Sequence, residues 1–184
     1  MDSDEDIPLD PSTLIRLGVV TQVTMNPPRC RVRFGDPDAD DGDVETPPIR
    51  WLAMRAGKTR KWSPPDEGEE VVLLTPDGQI GNAVALLGLN NDNAPPPGST
   101  TGDLTEYEDG ARISYDPATH ALNAELPDGA TALIRAATIT LDGNVHVTGT
   151  LSADTDVTAA GISLKGHRHA GIQRGGGTTD PPAA

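Results

Sequence analysis

The chain has 184 residues and a formal net charge of -14 at pH 7. This acidity disfavours nucleic acid as a partner, because phosphate binding requires a positive surface. Its aromatic residues (2 Trp, 2 Tyr, 1 Phe), set against 20 Gly and 17 Pro, are too few for a thick monomeric core. We therefore expect thin elements that gain burial from partner chains.

The start of the chain lacks the features of a secretory signal, and its cysteine content is compatible with folding in a reducing cytoplasm. Met1 to Asp6 is acidic, unlike a secretory signal, and no apolar run approaches the length of a membrane helix. Cys30 is the only cysteine, so no intrachain disulfide can form. We interpret Cys30 as a small buried strand residue and not as a catalytic thiol.

Short alternating runs separated by turn residues predict five antiparallel strands in the first half of the chain. They cover residues 17–24, 29–34, 49–52, 71–74 and 83–87. In the second strand Cys30, Val32 and Phe34 face one way, and the arginines between them face the other. Five such strands favour a small Greek-key barrel such as the OB-fold, over residues 14–93.

A basic, aromatic segment interrupts the acidic chain. It contains Arg50, Arg55, Lys58, Arg60 and Lys61 together with Trp51 and Trp62. This composition is the best argument for an OB-fold that binds nucleic acid. Single-strand binders, however, stack bases along a continuous positive groove, and the rest of this chain would repel the strand. We expect a docking loop for an acidic protein partner, with a plain solvated loop as the alternative.

The second half of the chain begins after a polar, proline-rich segment, which predicts a linker over residues 94–110. Predicted strands follow at 111–115, 120–126, 130–135, 137–141, 144–148, 157–159 and 161–165. Each has one narrow apolar edge, for example Ile139 with Leu141, which a single chain cannot cover. Three chains wound together would bury these edges in a rigid acidic rod.

His167 and His169 stand two residues apart in the last patterned stretch. In an extended backbone they share a face, and Arg168 between them points away. One chain offers no third ligand nearby, and a lone His-x-His is often an accidental pair on a solvated strand. If three copies meet on a threefold axis, six imidazole nitrogens suit an octahedral ion better than tetrahedral zinc. We expect His120 and His146 to be structural or solvent-facing.

A series of short motifs occurs along nearly the whole chain. It consists of residues 14–20, 29–36, Trp51-Leu52 with Arg55-Ala56-Gly57, 62–69, 109–111 with 113–116, 161–164, His167-Arg168-His169 and 175–177. In this order the motifs resemble the baseplate assembly protein V family, the central spike of contractile phage tails and related injection particles.

The resemblance implies an all-β homotrimer and a division of the chain. An acidic tail (1–13) precedes the OB-fold barrel (14–93) and the linker (94–110). An intertwined triple-stranded β-helix (111–165) then leads to a metal-binding apex and tail (166–184). By the same resemblance, His167 and His169 of three chains bind one iron ion on the threefold axis, although nickel, cobalt or zinc could also occupy six imidazoles.

The function implied by the resemblance is mechanical, not enzymatic. The spike perforates the outer membrane of the target cell when the sheath contracts, and its expected partner is the baseplate hub protein at the end of the tail tube. Its expected location is the virion or a phage-tail-like particle. An enzyme would use His167, His169 or Cys30, but no Ser-His-Asp or Cys-His arrangement supports one. A trimeric receptor-binding fibre would end in a larger, aromatic-rich head, whereas this chain tapers.

Overall fold

The computed structural model describes residues 11–35, 44–171 and 175. Over this part of the chain the regular elements are strands and three single-turn 3-10 helices, at Pro11–Thr13, Pro76–Gly78 and Ile80–Asn82. The strands are β1 (Ile15–Met25), β2 (Pro28–Phe34), β3 (Val44–Glu45), β4 (Arg50–Trp51), β5 (Glu70–Leu74), β6 (Val84–Leu89), β7 (Asp103–Glu106), β8 (Arg112–Asp116), β9 (Ala121–Glu125), β10 (Thr158–Ala159) and β11 (Ile162–Ser163). The protein is all-β, as predicted.

The chain divides into two compact units, with the boundary between Thr131 and Ala132. Strands β1 to β9 lie in the first unit, and the β10–β11 hairpin lies in the second. No helix in the described ranges is long and apolar enough to cross a bilayer.

The first six strands form one sheet with the order β3-β2-β1-β5-β6-β4 among the described residues. The long strand β1 pairs antiparallel with both β2 and β5. At the far edge, β4 pairs in parallel with β6. Ile49, directly before β4, exchanges backbone hydrogen bonds of 2.8 and 3.0 Å with Cys30 on β2. This bridge closes the sheet into a small barrel, as the strand pattern predicts.

The interior of the barrel confirms the predicted faces of β2. Cys30 (1% exposed), Val32 (0%) and Phe34 (6%) point inward, and the intervening arginines are partly or fully exposed. The remaining core residues are Val20, Ile49, Val71, Leu73, Ala83 and Ala85.

The strand β1 changes its inward face at a β-bulge, which simple alternation does not predict. Val20 pairs with Val32 and the next pair joins Gln22 to Arg31, so Thr21 is an extra residue. Even-numbered residues face the core before the bulge, and Val23 packs against the core after it.

The short strand β3 lies in a segment where the sequence analysis places only turns. It pairs with the end of β2, and the next residue, Thr46, is buried. The Thr46 hydroxyl accepts a hydrogen bond from the backbone N–H of Val32 (3.0 Å). The backbone N–H of Thr46 also donates to the Val32 carbonyl (2.9 Å), so two hydrogen bonds to Val32 hold the segment against β2.

A second, three-stranded sheet has the order β7-β8-β9. The strands β8 and β9 confirm the predictions at 111–115 and 120–126. The strand β7 lies within the segment assigned to the linker, where no strand is predicted. Its pairing with β8 is reinforced by an ion pair of 2.6 Å between Glu106 and Arg112.

Residues 126–157 contain neither helix nor strand, so the strands predicted at 130–135, 137–141 and 144–148 are absent from the single chain. A strand forms only where a neighbour satisfies its backbone hydrogen bonds, and no described strand pairs with this segment. Its large apolar side chains are exposed: Leu126, Leu133, Ile134, Ile139, Leu141, Val145, Val147, Leu151 and Val157.

Candidate metal centre

The segment that precedes the predicted metal ligands is a short hairpin formed by β10 and β11. Thr158 pairs with Ser163, and Ala159 pairs with Ile162. Ala160 and Gly161 form the turn with φ angles of 48° and 81°, as expected for a tight turn with both central residues at positive φ. These strands confirm the predictions at 157–159 and 161–165, although they are shorter.

The side chains of Asp156 and Ser163 hold the two ends of this hairpin together. Oδ1 of Asp156 accepts hydrogen bonds from the backbone N–H groups of Val157 (2.9 Å) and Lys165 (3.1 Å). The neighbouring Ser163 side chain and these two backbone hydrogen bonds lower the pKa of Asp156. Ser163 Oγ in turn accepts from the backbone N–H of Gly166 (2.8 Å).

The rings of His167 and His169 lie beside each other immediately after the hairpin. Their centroids are 5.1 Å apart and the ring planes make an angle of 79°. Nδ1 of His167 lies 2.8 Å from the carbonyl oxygen of Leu164. Since a carbonyl only accepts, Nδ1 carries the proton in this bond, and in the neutral form of the ring Nε2 has a free lone pair. This is the usual arrangement of a metal-ligating histidine, whose other nitrogen is held by a second group.

Two imidazoles do not complete a metal centre. No group of three or more His, Cys, Asp or Glu side chains converges in the described part of one chain. Both histidines are exposed, which leaves them accessible to ligands from other copies. The two imidazoles are therefore suitable ligands for a divalent transition metal, but they are too few to form a complete site. This is expected if each of several chains supplies part of the ligand set.

The other histidines are solvent-facing and the cysteine is buried, as expected, but neither histidine lies on a strand although the predicted strands 120–126 and 144–148 include them. His120 is exposed in the turn between β8 and β9, at a φ of 57°, and His146 is exposed in the segment without strands. Cys30 is buried in the barrel, where burial, with a smaller contribution from the charge of Glu69, raises the pKa of its thiol. A buried thiol with a raised pKa is a packing residue and a poor nucleophile.

The basic segment between Arg50 and Trp62 is an ordered loop on the barrel, and we call residues 52–62 the basic loop. At its base, the rings of Trp51 and Trp62 are 5.8 Å apart. The loop doubles back on itself, because the Lys61 N–H donates to the Arg55 carbonyl (3.0 Å). The cations of the loop are exposed, and none of them has an ion-pair partner in the described ranges: Arg55, Lys58, Arg60 and Lys61.

Two protein families match this chain, one in its first half and one near its C-terminus. Residues 16–89 match the family described as the type VI secretion system/phage-baseplate injector OB domain, and residues 161–183 match the GpV apex motif. These matches confirm the resemblance to the baseplate spike family drawn from the motifs, and the OB-fold of the first half.

One relative is similar over most of the chain. It is the spike protein of Escherichia phage P2, which is 32% identical over 136 residues. The alignment covers 73% of this chain and 58% of the relative, so the chain spans less than two thirds of the relative's length. The family places the protein in a virion or related tail particle, and its apex motif is a metal-binding tip motif.

Proposed function

We propose that this protein is the central spike at the tip of a contractile tail baseplate, and that it perforates the outer membrane of the target cell on sheath contraction. The observation that carries the proposal is the segment 126–157, which exposes its apolar side chains and pairs with no described strand. It lies between an injector OB domain and an apex motif. A chain built in this way needs other copies of itself to form a stiff projection.

The assembly proposed here is a homotrimer whose copies wind into a triple-stranded β-helix over residues 111–165. Alternating apolar residues such as Ile139, Leu141, Val145 and Val147 then face partner chains, which also supply the missing strand pairs. The proposed division of the chain remains a tail (1–13), the OB domain (14–93), a linker (94–110), the β-helix and an apex (166–184). Rigidity follows from pairing among chains, because neighbours remove the open strand edges.

At the apex, His167 and His169 of three chains hold one iron ion on the threefold axis. The adjacent rings, the free Nε2 of His167 and the apex motif support this assignment. When bound, the metal supplies a cross-link among three chain ends that would otherwise fray. Six neutral imidazoles suit an octahedral ion.

The role proposed for the protein is mechanical, and no catalytic group is assigned. The proposed partner of the OB domain is the baseplate hub protein. The basic loop contacts an acidic surface of that hub protein. A nucleic-acid-binding function is not favoured, because the injector OB family accounts for the barrel. The apex motif likewise argues against a receptor-binding fibre.

The test combines light scattering with elemental analysis of the full chain. We expect a mass three times the 19.2 kDa of one chain, with about one iron ion per three chains. Replacing both histidines (His167→Ala with His169→Ala) should remove the metal and leave the trimer intact, since the β-helix strands do not depend on the apex. A monomer would contradict the spike, and equal metal in the variant would contradict the ligand assignment.

A further inference from the structure

We propose that Asp156 and Ser163 are positioning residues for the metal centre and that they orient His167 through the peptide group between Leu164 and Lys165. This role rests on the metal centre proposed above. The carboxylate of Asp156 and the imidazole of His167 bind opposite ends of that one peptide group.

The peptide group between Leu164 and Lys165 is bound at both its N–H and its C=O. Its N–H belongs to Lys165 and donates to Asp156 Oδ1 at 3.1 Å, while its C=O belongs to Leu164 and accepts from Nδ1 of His167 at 2.8 Å. A peptide group is planar, so a carboxylate that fixes the direction of the N–H also fixes the direction of the carbonyl. Asp156 therefore determines where the acceptor for the imidazole points.

The same contact affects the tautomer of His167. A hydrogen bond from the peptide N–H to a charged carboxylate polarises the peptide and strengthens its carbonyl as an acceptor. A stronger acceptor favours the tautomer with the proton on Nδ1, which leaves Nε2 free for metal. This relay is equivalent to the carboxylate that commonly holds a metal-bound histidine, with a peptide group placed between the two side chains.

Ser163 holds the next peptide group in the chain. Its hydroxyl oxygen accepts a hydrogen bond from the N–H of Gly166 at 2.8 Å. Gly166 is suited to this close approach, because a Cβ there would lie only 3.2 Å from Ser163 Oγ. The backbone leading into His167 is thus fixed at two successive peptide groups.

The experiment uses full-length protein with Asp156→Ala, Ser163→Ala and Asp156→Asn, and with Asp154→Ala as the control. Asp154 is a nearby carboxylate that makes no hydrogen bond in the described part of the chain. Iron affinity is measured by competition with a chelator, and trimer mass by light scattering. The His167 tautomer is measured by nitrogen-15 NMR on metal-free protein.

We expect Asp156→Ala and Ser163→Ala to form trimers that bind iron about 10- to 100-fold more weakly, the range typical of outer-shell partners of metal ligands. In metal-free Asp156→Ala, the proton of His167 should redistribute from Nδ1 towards Nε2. Asp156→Asn keeps an acceptor oxygen but removes the charge that polarises the peptide group, so its affinity should lie between those of the wild type and Asp156→Ala. The control should match the wild type within about twofold.

Unchanged affinity and an unchanged tautomer in both alanine variants would overturn the positioning role and leave the metal centre standing. A wild-type protein without metal would instead contradict the centre, while the tautomer measurement would still test the relay. If Asp156→Ala fails to form trimers, the remaining two variants decide the question.

Discussion

Gly18 lies where β1 packs closely against β2 in the barrel. A Cβ at this position would lie 2.6 Å from Cγ1 of Val32 and 2.7 Å from the carbonyl oxygen of Arg33. The second atom belongs to the backbone of a paired strand, so it cannot move aside as a flexible side chain could. Any side chain at this position must therefore push two strands apart.

We expect Gly18→Ala to lower the free energy of unfolding by about 1–3 kcal/mol, the usual cost of overpacking a core. Gly81→Ala is the matched control, because a Cβ there meets nothing within 4 Å. Denaturant unfolding followed by the fluorescence of half-buried Trp51 measures both variants. Equal midpoints for Gly18→Ala and the wild type would show that the barrel relaxes around the added methyl group.

The basic loop is an element whose composition fits an interface better than a solvated turn. It concentrates exposed cations, unpaired among the residues that the structure describes, on an acidic protein, and it presents Met54 (82% exposed) and Trp62 (64%) beside them. Methionine, tryptophan and arginine are enriched in protein interfaces. The ring contact at its base and the backbone bond between Lys61 and Arg55 reduce the ordering cost of binding.

Reversing the charge of the loop should impair incorporation of the spike into tail particles. For Lys58→Glu, Arg60→Glu and Lys61→Glu combined, we expect a loss of roughly tenfold or more, because like charges would face the acidic partner. The control exchanges the same three residues between lysine and arginine and keeps the charge. Spike content of purified particles is measured by immunoblot, after thermal unfolding has shown that the barrel is intact. Normal incorporation of the glutamate variant would favour the plain solvated loop.

Strands predicted from the sequence are present where one chain supplies both the alternation of apolar residues and the neighbouring strand to pair with. The barrel strands meet this condition, since each of them pairs with another strand of the same chain. The strands β3 and β7 were missed because they are short and lie in segments rich in turn residues. The strands predicted between 130 and 148 are absent. Alternation shows which side chains must be buried, but it does not show which neighbouring strand would satisfy the backbone hydrogen bonds.

The candidate metal centre also has a part that the sequence predicts and a part that it does not. Alternation alone indicates that His167 and His169 share a face, and their rings are adjacent. The relay through Asp156 could not be predicted, because it depends on a hairpin that brings residues nine positions apart together. An Asp before a short hairpin and a Ser three residues before a Gly are signals of side-chain capping, but neither identifies the backbone group that the side chain binds.

At the scale of the whole molecule, the two units differ in how they achieve burial. The barrel has a closed core of its own, centred on residues such as Val32 and Leu73, which are both fully buried. The second unit exposes Ile139, Leu141 and Val145 by 52%, 69% and 62%. We therefore expect the barrel to be stable within one chain and the second unit to depend on association.

We expect Leu141→Asp combined with Val145→Asp to abolish the trimer and leave the barrel folded. Each chain would bring two carboxylates into the proposed interface, and an unpaired buried charge costs several kcal/mol. The control, Thr140→Asp with Asn144→Asp, adds charge to the same segment at positions that alternate with the apolar ones. Light scattering should give monomers for the first variant and trimers for the control, while both keep the barrel's unfolding transition. Trimers in both variants would mean that association uses another surface, and monomers in both would mean that charge alone, irrespective of face, separates the chains.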